Sequence, residues 1–562
     1  MKICKKIFIA SLLIIANIVC TNAQEAKFNW INSKLENMSL RQQIAQLFVI
    51  ACFPERGDEY MEKVTNAVRD EQIGGIIWGE CRPSLCIETL NKLQSQVQIP
   101  LLMTIDAEWG VSMRLDSVIR FPRQLTLGAI QDNSLIYAFG SEVARECREI
   151  GVHFNFAPVV DVNNNPNNPV INMRSFGENK YKVTEKAYQY MKGMQDGGIL
   201  TCIKHFPGHG DTDKDSHKEL PTILHDKQRL DDIELYPFRE LIKRGADGVM
   251  TAHLLVPALC SQQNVPSSQS KEICTDLLQN ELGFKGLVVT DGLEMKGAMY
   301  NCDTSQVALR SLMAGNDILE IPIDLKKSID EIEKAVQNGE ISESYIQEKC
   351  KKILAAKYDL GLHNGFVPIN SHTILEKLNT PQAQELRYKL SERSITLLSN
   401  KNNVLPINSK KIKYLEIGNG KTFKTNLQAH CMIDTLSLKA HYTQENVDSL
   451  KTNLLGGETI IIGYHNIPRG RSYINFNIDS LVIDFVSDLT QTKNVVLVFF
   501  GNPYSVAKFK NLERFAAIVV AYDNSEEAQI CSAKAIFGKQ KFYGKLPVSI
   551  NEIFKEDFGI TD

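Results

Sequence analysis

The chain has no CxxC pair, no internal repeat and no low-complexity tract, and past its N-terminal segment no apolar run long enough to span a membrane. These absences exclude a zinc ribbon, a repeat solenoid, a disordered chain and a helical membrane protein. Charge of one sign is lacking too. The formal net charge is −3, or about −6 without Lys2, Lys5 and Lys6, which leaves no basic field for nucleic acid. Tryptophan is scarce, with three in 562 residues. Cysteine is not scarce, but most of the thirteen lie singly in apolar segments, as Cys52, Cys202 and Cys260 do, and read as small buried hydrophobes. Cys81 and Cys86, close together in an expected loop, are the one pair placed for a disulfide.

What is present is ordinary globular composition, 43% hydrophobic and 23% charged, over a length that implies two domains. The first 23 residues join a basic start (Lys2, Lys5, Lys6) to an apolar run, Ile7 to Val19, and a small residue, Ala23. This fits a secretory signal cleaved before Gln24, hence a periplasmic or extracellular protein. Cys20 raises a lipoprotein anchor, but Val19 stands before it where a small residue is expected, so export without an anchor is preferred.

Eight short apolar runs follow: Leu47 to Cys52, Ile73 to Trp78, Leu101 to Asp106, Val152 to Ala157, Leu200 to Lys204, Gly248 to Ala252, Gly286 to Asp291 and Asp317 to Ile321. Segments with apolar residues at helical spacing lie between them, so a (β/α)8 barrel is expected over 28–365. A Gly- and Pro-containing linker is assigned to 366–384. A second alternation, with strands at Lys413 to Ile417, Thr459 to Gly463, Val495 to Phe500 and Ala517 to Tyr522, predicts a smaller α/β sandwich over 385–562.

In such a barrel the reactive groups lie at the C-terminal ends of strands. Asp106 ends the third run, Arg174 lies in the loop after the fourth, Lys204 and His205 end the fifth, His253 follows the sixth and Asp291 ends the seventh. Carboxylate, guanidinium, ammonium and imidazole at one rim suit the hydroxyls of a sugar, which both donate and accept. Cleaving a glycosidic bond needs a group to attack the anomeric carbon and another to protonate the departing oxygen. Asp291 is the candidate for the first; the alternative is a carboxylate capping the following helix. The segment KHFPGHGDTDKDSHKELP, Lys204 to Pro221, supplies the second: Asp215 and His217, two apart, can form a carboxylate-held imidazole that moves a proton. The alternative there is a metal site built on His205 and His209 with Asp211 or His217. Gly208, Gly210 and Pro207 favour a mobile loop over a fixed coordination sphere.

These motifs resemble glycoside hydrolase family 3, specifically its β-N-acetylglucosaminidase branch. The resemblance rests on KHFPGHGDTDKDSHKELP, NFAPVVD (Asn155 to Asp161), RSFG (Arg174 to Gly177), MTAH (Met250 to His253) and VVTDGLEM around Asp291. It extends into the second domain through ERSITLLSNKNNVLPI and AKAIFGKQKFYGKLPVSI. It implies that Asp291 is the nucleophile, that His217 with Asp215 is the acid/base dyad, and that Asp106, Arg174, Lys204 and His205 hold the sugar hydroxyls. The family commonly follows its sugar-binding Asp with a carboxylate and two Gly, whereas this chain reads DAEWG, so Trp109 either walls the pocket or packs behind it.

The expected activity is retaining, exo-acting hydrolysis of terminal β-linked N-acetylglucosamine, with no metal or organic cofactor and a carbohydrate as the one expected partner. Three alternatives stay open: a β-glucosidase of the same family, a β-N-acetylglucosaminide phosphorylase, which a neutral imidazole base would permit, and an inactive sugar-binding surface protein. Two weaker motifs fail. GNGKT, Gly418 to Thr422, lacks the earlier Gly of a P-loop, and Ser268 with Lys271 lacks the further elements of a penicillin-recognising site.

Overall fold

The computed structural model describes residues 24–300, 302–438, 442–454, 459–465 and 478–561. The expected signal segment, 1–23, lies outside the described residues. All eight runs of the first alternation are strands: β1 Phe48–Cys52, β2 Gly75–Trp78, β3 Leu102–Ile105, β4 Phe154–Asn155, β5 Leu200–Phe206, β6 Gly248–Thr251, β7 Leu287–Thr290 and β8 Leu319–Glu320. They pair in parallel in the order β7-β6-β5-β4-β3-β2-β1-β8. A parallel bridge from Val289 to Ile318 joins β7 to β8 and closes the barrel.

The strands are apolar runs rather than alternating ones because helices cover them outside and side chains fill them inside, so both faces are buried. Every residue of β2, β3, β6 and β7 is buried. Helices such as Ser134–Glu149, Lys180–Asp196 and Leu325–Gln337 pack around them. Asn179 and Ser342 cap the helices Lys180–Asp196 and Glu343–Asp359 by accepting from backbone amides of the first turn. At the face away from the site, Asp317 accepts from Lys349 at 2.7 Å and from Lys352 at 2.6 Å, where it serves stability. Among the described residues no helix is long and apolar enough to cross a membrane.

After the helix Glu343–Asp359, the segment 366–384 is not extended. Ile374–Leu378 is a helical turn, and Ile374, Leu378 and Ala383 join the barrel's hydrophobic core. The second sheet has six strands, β9 Thr396–Asn400, β10 Lys411–Ile417, β11 Met432–Leu438, β12 Thr459–Tyr464, β13 Asn494–Phe499 and β14 Ala517–Val520, in the order β11-β10-β12-β13-β14-β9. Four were expected; β9, antiparallel to β14, and β11 at the far edge were not. The two domains are bonded together close to the barrel mouth. Asn163 Nδ2 donates to the Tyr504 hydroxyl at 3.2 Å, Asn502 Nδ2 to Asn172 Oδ1 at 2.7 Å, and the Ser549 hydroxyl to Glu178 Oε1 at 2.5 Å.

The eleven described cysteines are free thiols, Cys81 and Cys86 included. The expected disulfide is therefore absent. Both side chains face the barrel's hydrophobic core, where burial pushes the Cys81 thiol up to about 12.

Candidate active site

The strand ends converge on one cavity of about 330 Å3, lined by Asp106, Arg174, Lys204, His205, His217 and Asp291 among others. Six of the seven expected site residues thus meet in one place, and the seventh, Asp215, stands directly behind His217.

The cationic side chains are fixed by carboxylates. Lys204 Nζ lies 2.7 Å from Asp106 Oδ1 and 3.0 Å from Glu108 Oε1, and Arg114 donates to the other Asp106 oxygen. Arg174 forks onto Glu108, with Nε and Nη2 donating at 2.9 and 2.6 Å. Burial pushes the Glu108 carboxyl up, but Arg174 and Lys204 outweigh it and hold the group at about 2. The cluster is therefore fully ionised near neutrality, and its side chains are held in place by charge-assisted bonds.

His205 is oriented from behind by Asp161, a buried carboxylate. Asp161 Oδ2 lies 2.7 Å from His205 Nδ1, while Oδ1 accepts from the backbone amides of His205 at 3.2 Å and His209 at 2.7 Å. Arg174 Nη2 approaches His205 Nε2 at 3.2 Å. A guanidinium can only donate, so Nε2 carries the lone pair and Nδ1 the proton. His209 is committed elsewhere: Nδ1 meets the Thr212 hydroxyl at 2.8 Å and Nε2 the Ser216 hydroxyl at 3.2 Å, and burial pulls the ring down to about 4, hence neutral. The HxxxH rings stand edge to face, 5.9 Å between centres, with their nitrogens bonded to other partners, and among the described residues no three His, Cys, Asp or Glu side chains are grouped to hold a metal.

Asp291 is the residue after β7. Its Oδ1 accepts the Gly292 amide at 2.9 Å. Burial pushes its carboxyl up, but the imidazoles of His205, His253 and His217 outweigh that and keep it below the usual carboxylate range. His253, expected at the polar rim, instead anchors the loop after Asp291. Its Nδ1 meets the Ser268 hydroxyl at 2.7 Å and its Nε2 the Gly292 carbonyl at 3.0 Å, so both ring nitrogens are used and the ring is fully buried. The Ser268 hydroxyl is spent on the same contact.

The dyad is formed. Asp215 Oδ1 accepts both the His217 amide at 3.1 Å and its Nδ1 at 2.8 Å, which leaves Nε2 for proton exchange. The Asp215 side chain is 8% exposed and that of His217 50%. One expectation about this loop fails. A Cβ at Gly210 would stand 1.9 Å from the Val162 carbonyl, and one at Gly208 would meet Glu234, so these glycines permit close packing rather than motion. Asn168 Nδ2 binds the carbonyls of His209 and Gly210 at 2.8 and 2.9 Å, and His225 Nε2 meets Asp211 at 2.7 Å. The loop is thus tied down at its base, with His217 at its exposed end.

Trp109 lines the cavity as a wall, with the guanidinium carbons of Arg123 and Arg120 4.9 and 5.6 Å from its ring centre. Four functional groups escaped the sequence reading: Glu108, Arg114, Asp161 and Glu320. Glu108 and Asp161 stand inside DAEWG and NFAPVVD, so motif membership was a usable signal. Arg114 carried none, whereas Glu320, the last residue of β8, carried the strand-end signal that Asp106 and Asp291 also carry. Glu320, on β8, is 4% exposed with Oε2 unpartnered, and burial together with the charges of Asp106 and Asp291 raises its carboxyl well above the usual range.

Comparison with known proteins supplies the context. A family model described as the glycosyl hydrolase family 3 N terminal domain matches residues 39–356. The chain is 29% identical over 514 residues to beta-hexosaminidase A of Pseudoalteromonas piscicida, covering 82% of this chain and 84% of that one. It is 27% identical over 386 residues to the beta-N-acetylglucosaminidase/beta-glucosidase of Cellulomonas fimi, covering 67% and 68%. The solved family 3 beta-N-acetylglucosaminidase of Paenibacillus sp. str. FPU-7 superposes with a TM-score of 0.78 at 29% identity, over 92% of this chain and 99% of that chain.

Proposed function

The chain belongs to glycosyl hydrolase family 3 and is a glycoside hydrolase, and from that footing we propose that it releases terminal β-linked N-acetylglucosamine with retention of configuration. The observation that carries this reading is the imidazole of His217, held by Asp215 on the β5–β6 loop and opening into the cavity that contains Asp291. The name of the similar Paenibacillus protein supports the same sugar and that of the Pseudoalteromonas one a hexosamine, while the Cellulomonas name joins β-N-acetylglucosaminidase to β-glucosidase.

In the first step an Asp291 oxygen attacks the anomeric carbon as the bond to the leaving oxygen breaks, and His217 delivers its Nε2 proton to that oxygen. Asp215 stabilises the imidazolium and fixes its tautomer through Nδ1. In the second step neutral His217 takes a proton from water, the water oxygen attacks the anomeric carbon, and Asp291 departs. Asp106, Arg174, Lys204 and His205 bind the hydroxyls throughout. The basic and apolar N-terminal segment supports action outside the cytoplasm.

The role assignments separate in a substrate series. Asp291→Ala is expected to abolish turnover of every substrate. His217→Ala is expected to be milder on aryl glycosides with acidic leaving groups, which need little protonation, than on β-linked disaccharides. Equal losses for His217→Ala across the series would remove the acid/base assignment, and faster release from aryl β-glucoside than from aryl β-N-acetylglucosaminide would overturn the sugar. Because an imidazole base does not repel a phosphate dianion as a carboxylate would, product analysis in phosphate buffer is part of the test. A sugar 1-phosphate as the main product would convert the hydrolase into a phosphorylase.

A further inference from the structure

Glu320, the last residue of β8, has no task in the two-step reaction, yet the backbone around it is tied to the nucleophile. Its amide donates to the Thr290 hydroxyl at 2.9 Å and its carbonyl accepts from the Leu293 amide at 2.9 Å, so the end of β8 brackets Asp291 from both sides. The next residue, Ile321, is held at a φ of +46°, with its amide on the Val49 carbonyl at 2.8 Å. A β-branched residue rarely adopts that left-handed conformation, and such strain clusters at active sites. The chain thus accepts a strained turn to hold Glu320 in one place.

The side chain is 4% exposed, and its Oε2 is buried without a hydrogen-bond partner among the described residues. The charged groups that face it come from three elements: Asp106 from the end of β3, Lys204 from β5, and Asp291 and Glu294 from the turn after β7. The Cys202 thiol of β5 is also near, and β1, which pairs with β8 at Val49, brings no charged side chain. Lys204 does not serve as a counter-ion, because its ammonium is already shared between Asp106 at 2.7 Å and Glu108 at 3.0 Å. Arg114 and Arg174 are likewise spent, on Asp106 and Glu108. A carboxylate at 320 would be a buried anion among anions, whereas the protonated acid adds no charge. Burial, with the charges of Asp106, Asp291 and Glu294, favours the same form by raising the carboxyl well above its ordinary range.

We propose that Glu320 is a positioning residue that works as an uncharged carboxylic acid, filling the space beside Asp106 and Asp291 without charge so that Lys204 stays on Asp106 and Glu108. The inference rests on the assignment of Lys204 and Asp106 to the sugar. Loss of the Glu320 proton to water creates a carboxylate that competes with Asp106 and Glu108 for the Lys204 ammonium. The sugar then loses a donor held in a fixed place, and affinity falls over the pH range in which Glu320 ionises. The acid thereby acts on substrate through Lys204 and touches no reacting atom.

Two measurements on the full-length protein test this. The infrared difference spectrum, parent minus Glu320→Gln at pH 7, is expected to show the carbonyl stretch of a protonated carboxyl, and that band is expected to vanish as pH is raised. Calorimetric titration with N-acetylglucosamine, which has no glycosidic bond to cleave, is expected to show the parent's Kd rising roughly tenfold as the band vanishes. In Glu320→Gln, and in Glu320→Met as a second uncharged variant, Kd is expected to change less than about twofold over the same range. A role in packing alone would not make the pH dependence of Kd follow the band. A spectrum without the band at pH 7 overturns the uncharged acid, and an equal rise of Kd in all three proteins overturns the positioning role. Tighter binding of glucose than of N-acetylglucosamine is a different result: it removes the proposed sugar, while the band, which needs no ligand, still decides Glu320.

Discussion

Replacing Asp161 by asparagine changes one oxygen to an amide and nothing in shape, yet it reverses the logic behind His205. The native carboxylate accepts three bonds, two from backbone amides through Oδ1 and one from His205 Nδ1 at 2.7 Å through Oδ2. In the variant the amide oxygen can keep the two backbone donors, but the NH2 then faces Nδ1, donor against donor. The imidazole can escape only by moving its proton to Nε2, which sets an N–H against Arg174 Nη2 at 3.2 Å. One opposed pair remains in either tautomer. A lost bond to a charged group is worth about 1.5–3 kcal/mol, and at 1.4 kcal/mol per decade this predicts a fall in kcat/KM of roughly 10- to 150-fold. Because His205 is assigned to holding the sugar, the larger part should appear as a raised KM. The assay is steady-state hydrolysis of aryl β-N-acetylglucosaminide beside thermal unfolding by circular dichroism, with Asp161→Glu as the variant that keeps the charge and restores part of the loss. A variant with parental kcat/KM, or one whose activity falls only as its folded fraction falls, would refute the positioning role.

Two further outcomes concern stability and pH. Glu108 is held at about 2 in the folded chain against roughly 4.3 when unfolded. Its contribution is therefore complete above pH ~4.3 and lost as pH falls toward 2. Glu108→Gln, which leaves Arg174 and Lys204 less compensated, should cost about 3–5 kcal/mol near neutrality and show a shallower drop in Tm between pH 5 and 2.5 than the parent. Steeper acid sensitivity in the variant would contradict this. Glu146 behaves with the opposite sign. It is fully buried beside the loop bearing Trp109, accepts the Val111 amide at 3.2 Å, and burial pushes its carboxyl up to about 8. A raised carboxyl contributes fully below its unfolded value and loses that contribution as pH rises toward 8. Glu146→Gln should thus flatten the fall in Tm from pH 5 to 8, and an unchanged slope would show that the carboxyl ionises freely in the folded chain.

The barrel was legible because parallel strands buried on both faces leave short apolar runs, and the polar residues at their ends cannot be core. The second sheet was less so. β11 is an edge strand with half-exposed positions, and β9 follows the helix Pro381–Ser394 with only Ile395 between them, so neither is framed by turn residues. The site's reactive groups were visible as residue types at strand ends and as motifs. Their supports were not, since each is a pairing across the chain: Glu108 meets Arg174 and Asp161 meets His205 through folding alone. Glycine at 208 and 210 was misread for the same reason. Sequence shows the missing side chain but not the Val162 carbonyl that requires it to be missing.

The scarcity of tryptophan becomes useful at the bench. Of the three indoles, Trp78 is 1% exposed within β2 and Trp30 packs near Tyr358, 5.7 Å between ring centres, while Trp109 stands at the cavity wall beneath two guanidinium groups. A ligand entering that cavity alters the surroundings of Trp109 while leaving those of the other two in place. Intrinsic emission is therefore a label-free gauge of sugar occupancy, and an Asp291→Ala protein, expected to bind without turning over, allows the signal to be titrated to equilibrium.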